Sequence, residues 1–344
     1  MIRNLSCGIV VYDEVREIQN LLPKLKLELK DYSIEWIFIL NHEQAEIRKW
    51  ISNWILGEIP SAICIENPSN NLGFARQLIL EKSGHDYIYL TDPDIDIIQG
   101  NLKKLIHLIN TDISEDFNHK YVGFGGTVTH KSENYFLQST FDFMSGLSKI
   151  LPFSFQIQNH SYLMAVDHLP ACHLLLNKRV ALKIGGFSAG HSKCGEDLDF
   201  THRAYNHDYR FIFLPSAQVL HWQNLSLTKW FSKMFVMGRV QIPVQKVNMK
   251  LGLRYYRLLP SLSLLLLFSL SVYSIYFLIL VSSLVLLASL FNVGFLGFVL
   301  TYFTYSLGGL FETVVPLFEC KSEEQLKALN SNLQDQLFLA NKDN

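Results

Sequence analysis

Asp86–Gln99, DYIYLTDPDIDIIQ, decides how the rest of the chain is read. Tyr87–Leu90 is a short apolar run with the length of a buried strand. It breaks into three aspartates at alternate positions, Asp92, Asp94 and Asp96, with Pro93 between the first two. Carboxylates gathered at the end of a buried strand carry a solvation cost that calls for a compensating charge. Hard divalent cations accept such oxygens, and Mg²⁺ in particular keeps waters and binds substrate phosphates. Residues i and i+2 of an extended segment point the same way, so Asp92 and Asp94 can converge, and Pro93 stiffens the pair. Asp94 and Asp96 form a second register. A solvated Asp-Pro-Asp turn is the plain alternative.

The whole chain has 344 residues and a formal net charge of −1, room for about two domains and no bias toward nucleic acid. The charge is unevenly placed. No Asp or Glu occurs from Tyr209 to Phe311, whereas Lys229, Lys233, Arg239, Lys246, Lys250, Arg254 and Arg257 all fall in that window. The five cysteines, Cys7, Cys64, Cys172, Cys194 and Cys320, show no metal spacing and read as free thiols of a reducing compartment. From Leu258 to Phe311 no ionisable Asp, Glu, Lys, Arg or His occurs, a stretch more than twice the ~20 residues a membrane helix needs. It predicts two membrane helices within residues 258–315, broken near Asn292-Val293-Gly294. Arg254 and Arg257 before it and Lys321 and Lys327 after it put both ends on the cytoplasmic side, with the Asn292 turn outward.

Taken in order, strands are expected at Leu5–Tyr12, Ile34–Leu40, Ala62–Ile65, Tyr87–Leu90 and Tyr121–Val128. Helices are expected at Glu14–Lys30, His42–Leu56, Asn71–Lys82 and Gly100–Asn110. The first helix carries Val15, Ile18, Leu21, Leu22, Leu25 and Leu29 on one stripe, with Pro23 as a kink. The second carries Ile47, Trp50, Ile51, Trp54 and Ile55. Such alternation predicts an α/β fold, a doubly wound, mostly parallel sheet, whose ligands bind at the carboxyl ends of the strands. That rule puts Asp92 and Asp94 at a binding edge.

A second block runs from Cys172 to Trp222. Cys172–Asn177 is strand-like and Gly185-Gly186-Phe187 a turn. Gly195-Glu196-Asp197-Leu198-Asp199 opens an amphipathic helix to Tyr205. Arg210–Leu214 is a strand closed by Pro215, and Ala217–Leu220 leads to His221. Acids are favoured in a helix's first turn by its dipole. That accounts for Glu196, Asp197 and Asp199 one at a time but not for a glycine turn that delivers all three.

In this order the motifs resemble a family 2 glycosyltransferase of the GT-A fold over roughly residues 5–240. Ile9–Glu14 resembles the family's opening strand, with Asp13 where an asparagine is usual. Asn71-Leu72-Gly73-Phe74-Ala75-Arg76 resembles its Asn-x-Gly helix start. Asp92-Pro93-Asp94 resembles its metal-binding Asp-x-Asp, Gly185-Gly186-Phe187 with Gly195-Glu196-Asp197 its Gly-Gly-Phe and Glu-Asp segment, and Pro215–His221 its final strand and histidine. The turn Leu40-Asn41-His42-Glu43 departs from the family's Asp-rich base-reading turn. The Gln-x-x-Arg-Trp motif of processive members is absent.

The resemblance implies a GT-A domain over residues 1–224 and an inverting transfer from a nucleotide sugar, a UDP- or dTDP-sugar, to a lipid-linked or saccharide acceptor in cell-surface polysaccharide assembly. It implies Mg²⁺ or Mn²⁺ held by Asp94 and Asp92, with His221 as a further ligand. It implies donor contacts from Val11, Tyr12, Glu14, Asn41, Asn71, Gly73, Arg76 and Asp92. Asp197 would be the general base, ionised at neutral pH, and Glu196 would orient it or the acceptor. Residues 225–257, where Trp230, Phe231, Phe235, Tyr255 and Tyr256 interleave with cations, have the make-up of interfacial helices on anionic lipid. Leu326, Leu329, Leu333 and Leu337 in residues 316–344 read as a cytosolic amphipathic helix that packs on the domain or on a second copy. The expected place is the inner membrane, with the catalytic domain facing the cytoplasm. A sugar nucleotidyltransferase and a catalytically degenerate scaffold are the rival readings.

Overall fold

In the computed structural model, residues 3–111, 120–150, 164–166, 168–191, 193–247 and 275–314 are described, with positions 266, 269 and 331. Expectations for Lys250, Arg254, Tyr255, Tyr256 and Arg257, for residues 258–265, and for Leu326, Leu329, Leu333 and Leu337 lie outside them. The described stretches divide into two compact units. Residues up to 129 and from 164 to 221 form the first; 130–150 and 222–314 form the second.

In the first unit, β1 (Asn4–Val11), β2 (Ser33–Leu40), β3 (Ile63–Glu66) and β4 (Tyr87–Thr91) alternate with α1 (Val15–Glu28), α2 (Ala45–Glu58) and α3 (Leu72–Lys82). These four strands pair in parallel in the order β3-β2-β1-β4. Seven of the eight residues of β1 are buried, the pattern of a strand covered on both faces. Beyond β4 the sheet turns antiparallel, and here the expected parallel order stops. β8 (His173–Asn177) pairs antiparallel with β4 and with β6 (Tyr121–Lys131), and β9 (Arg210–Trp222) pairs antiparallel with β5 (Ile95–Ile97) and β7 (Met164–Val166). The sheet is therefore mixed.

Single residues explain three further departures. Pro215 does not close a strand: β9 runs unbroken through it, where Ser216 reaches the surface and the Pro215 carbonyl accepts from Thr127 Oγ1 at 2.9 Å. Trp50 leaves the apolar stripe of α2 and is 58% exposed, because Ile51 and Ile55 carry the buried face. β5 is too short to read from sequence; its register on β9 sets it. Glu28, at the end of α1, accepts from the backbone N–H groups of Gly100 and Lys103 and so caps α4 (Asn101–Thr111).

The second unit contains the ends of β6 and β9, joined where Gln223 N–H donates to the Lys131 carbonyl at 2.7 Å. Its helices are α5 (Tyr135–Ile150), α8 (Leu227–Val247), α9 (Ile275–Phe291) and α10 (Val293–Val314). Two short helices of the first unit, α6 (Lys178–Lys183) and α7 (Glu196–Asn206), precede α8 in the chain. Leu137 and Phe141 of α5 pack with Trp230 and Met234 of α8. The break expected near Asn292 falls there. Among the described residues only α10 is long and apolar enough to cross a membrane; α9 contains a shorter apolar helix. Glu312, one residue past the uncharged stretch, is buried against Arg239, whose Nε stands 2.7 Å from its Oε2.

Candidate active site

The end of β4 and the start of α7 meet around one buried guanidinium. Arg76, on α3 and 5% exposed, donates from Nη2 to Asp92 Oδ1 at 2.9 Å and pairs through Nη1 with Glu196, which is 2% exposed. The charges of Asp92 and Asp197 hold the Arg76 proton more firmly, against the opposing cost of its burial. Two residues expected to serve the substrate therefore serve each other. Arg76 is engaged by both acids, and the Glu196 carboxylate is buried against it. Asp92, expected to share the metal, has Arg76 as its partner.

Asp94 takes a different direction. Ile95 pairs with His221 in the β5–β9 register, and this brings the neighbouring Asp94 to the histidine: His221 Nε2 lies 3.1 Å from Asp94 Oδ2. Asp96 points away and pairs with Lys24 of α1. The Asp94–Asp96 register is thereby set aside.

Asp197 stands at the first turn of α7, entered through Gly195 at φ +88°, a conformation that favours glycine. Its Oδ1 accepts from the N–H of Leu198 at 2.7 Å and its Oδ2 from that of Ala171 at 3.4 Å, and the residue keeps partial exposure. It is the one acid of that turn left partly open, since Asp199 is buried. Asp199 pairs with Arg203, which also donates to the carbonyls of Ile184 and Gly186 and so fastens the glycine turn.

The Asn71–Gly73 helix start is built for packing. The Asn71 side chain caps α3 by accepting from Phe74 N–H at 2.9 Å and donates to the Ala189 carbonyl at 2.8 Å. Gly73 donates to the His191 carbonyl, and a Cβ there would stand 1.9 Å from the Ser188 carbonyl oxygen. Both residues hold the 188–191 loop. Val11 is fully buried and its carbonyl accepts from Asn41 N–H at 2.7 Å. Asn41 is buried too, accepting from Asn67 Nδ2 at 2.6 Å. The departing turn Leu40–Glu43 is braced by Arg48, which donates to the carbonyls of His42 and Glu43 and pairs with Glu66.

Tyr12 and Glu14 remain at the edge. Burial raises the Tyr12 hydroxyl to about 12, opposed by the charge of Arg76. Burial also lifts Glu14 to about 7, against backbone N–H bonds at Tyr12 and at Glu14 itself, with Asp13 and Asp94 adding to the rise.

Sequence reasoning missed two residues. Cys172 is buried where the charges of Asp92, Arg76, Asp94 and Asp197 all reach it, and burial first and those acids next push its thiol well up. It marks the point on which the metal-side and base-side acids converge. Asn67, fully buried, holds Asn41 and the Leu40 carbonyl. An asparagine that follows a strand at the same sheet edge was the available signal for it.

For a divalent ion the fit is partial but real. Asp94 and His221 offer an oxygen and a nitrogen at one point, which suits an ion whose other positions go to substrate phosphate and water. Among the described residues no group of three or more His, Cys, Asp or Glu side chains gathers as a metal site.

No family model matches the sequence, and no curated protein matches it. Solved structures do. The mannosyltransferase PcManGT from Pyrobaculum calidifontis, in complex with GDP-Man and Mn²⁺, matches with a TM-score of 0.62 at 11% identity, over 90% of this chain and 86% of that one. GalNAc-T7 with UDP, GalNAc and Mn²⁺ matches with a TM-score of 0.51 at 12% identity, over 72% of this chain. The match spans 48% of GalNAc-T7, about half its length. At such identities the likeness is one of fold.

Proposed function

We propose that this chain, which has the GT-A fold, is a metal-dependent glycosyltransferase that moves a sugar from a nucleotide sugar to a lipid-linked or saccharide acceptor at the cytoplasmic membrane. The carrying observation is the convergence of Asp94–His221 and Asp197 on one strand end, held together by the Arg76 link between Asp92 and Glu196. The bound nucleotides and Mn²⁺ of the two structural neighbours support the donor class. A UDP- or dTDP-sugar is the proposed donor and cell-surface polysaccharide assembly the proposed setting.

Asp94 and His221 would hold the ion, which supplies positive charge to the departing diphosphate. Glu14 and Tyr12 line the same edge. Asp197 accepts the proton of the acceptor hydroxyl as it attacks. A base opposite the leaving group gives a single displacement with inversion at the anomeric carbon, and a product of retained configuration by NMR would contradict it. The membrane setting is supported by α10 and by the acid-free, basic stretch before it in the sequence, which by the positive-inside rule favours a cytoplasmic catalytic domain.

The test is nucleoside diphosphate release by the full chain with a panel of sugar nucleotides, Mn²⁺ and a polyprenyl-linked acceptor. Release from one donor is expected. Asp197→Asn should lower it about 10²–10⁴-fold with unchanged melting. Pyrophosphate in place of nucleoside diphosphate, or silence with every donor, overturns the proposal.

A further inference from the structure

Among the described residues of the second unit, α9 and α10 leave an apolar surface open. α10 turns its small side chains inward: a Cβ on Gly297 would meet Thr140 Oγ1 of α5, and one on Gly308 would stand 2.0 Å from the Phe235 carbonyl of α8. Its large apolar side chains point outward. Leu300, Phe303, Leu307 and Phe311 follow one another at helical spacing and are 39–48% exposed. On α9, Ile279, Leu280, Leu284, Leu286 and Leu287 are each more than half exposed. Soluble proteins seldom leave so many large apolar groups together in water.

By length and composition α10 would cross a bilayer. Its neighbours forbid that. Phe143 of α5 packs edge-on against Phe295 and tilted against Phe298 of α10, with ring centroids 5.6 and 5.5 Å apart, and the adjoining Asp142 is exposed. Trp230 of α8 donates from Nε1 to Thr301 Oγ1 at 3.0 Å, and Lys229 and Lys233 beside it are exposed. A crossing α10 would carry Lys229 and Lys233, beside its midpoint at Thr301, into hydrocarbon, where ionised side chains are costly and rare, and Asp142 to its edge. Arg239 and Glu312, near the other end, are buried against each other and so make no such demand.

We propose that α10 lies in the plane of a lipid bilayer. The Leu300–Phe303–Leu307–Phe311 stripe, with the exposed leucines of α9, enters one leaflet, and α5 and α8 stay on the aqueous side. Amphipathic helices bind membranes in this way, apolar face into the acyl boundary and cations toward the headgroups. Lys229 and Lys233, in a stretch without acids, match an anionic lipid surface. The expected outward-facing Asn292 turn is replaced by one that stays with the leaflet it enters. This inference rests on the membrane setting proposed above.

The experiment places a nitroxide at Leu300→Cys, Phe303→Cys, Leu307→Cys or Phe311→Cys, one at a time. The full chain is used, with native cysteines replaced and wild-type melting retained, in vesicles of phosphatidylglycerol and phosphatidylethanolamine. EPR power saturation reads the depth of each label. An in-plane helix gives all four positions one common depth within a leaflet. A depth that changes by about 16 Å between positions 300 and 311, the rise of a crossing helix, overturns the proposal. Labels that stay in water, or that broaden by spin–spin coupling without lipid, overturn it in favour of a second copy. A chain that does not float with the vesicles defeats the membrane setting as well, yet leaves nucleoside diphosphate release untouched, so the two readings fail separately.

Discussion

With Asp92 and Glu196 in place, the buried Arg76 guanidinium is compensated on both sides. Removing it leaves two carboxylates without a partner, one of them fully out of water. Breaking a buried pair from one side costs about 3–5 kcal/mol, so Arg76→Met should lower the unfolding free energy by that amount, read as a lower urea midpoint at unchanged m. Arg76→Lys should rescue little, because an ammonium lacks the fork that reaches two acids. Adding Glu196→Gln to Arg76→Met should recover part of the loss; an unchanged midpoint in the single variant would show that the pairs contribute nothing. His173 offers a second residue-scale test. It is fully buried on β8, its Nε2 lies 3.2 Å from the Ala217 carbonyl and its Nδ1 2.8 Å from the Tyr89 hydroxyl. The carbonyl accepts only, so Nε2 carries the proton and Nδ1 accepts from Tyr89. Burial lowers this imidazole from 6.5 to about 4. The unfolded chain therefore binds the extra proton first, and stability present above pH 6.5 falls as pH drops toward 4, by about 3 kcal/mol. The melting temperature should fall more steeply with pH across that range for the native chain than for His173→Gln.

At the scale of elements, the site depends on how α3 meets the loop after the Gly185–Gly186 turn. Gly73→Ala would drive a methyl group into the Ser188 carbonyl, a backbone atom that cannot swing aside. Overpacking of this kind costs about 1–3 kcal/mol. The loop leads directly into Glu196 and Asp197, so turnover should fall together with the melting temperature. A variant that lost neither would show that the loop adjusts freely. These elements also show what the sequence discloses. β1 to β4 and the helices between them are written in apolar runs and 3.6-residue stripes, and the Asp92–Asp94 turn in an unusual cluster of acids. Pairings between distant strands are not so written. Nothing in Ile95–Ile97 announces a strand, yet its register with β9 is what brings Asp94 to His221. Arg76, Gly73 and Asn71 were recognisable as a motif, but their inward orientation follows from a loop more than 110 residues later in the chain. The helix α5 has no marked motif, and its apolar face makes sense only beside α8 and α10.

For the whole molecule, the second unit is assembled from two separate stretches, 130–150 and 222–314. A chain ending at residue 224 would keep α5 but lose the Trp230 and Met234 side chains that cover Leu137 and Phe141. Such a truncation should elute as an aggregate in size-exclusion chromatography. Replacing residues 133–159 by a short Gly/Ser linker should return it to a monomer, and a soluble monomer without that replacement would refute the account. The same division governs how the protein can be made. α5 is finished at Ile150, whereas α10 begins only at Val293. At roughly 5–20 residues per second of synthesis, the wait between them is on the order of 10 s. For that interval α5 is without α10 on a nascent chain, and until α8 is made Leu137 and Phe141 are without Trp230 and Met234, so the ribosome-bound intermediate, more than the finished protein, is the species that needs a chaperone or an early meeting with lipid.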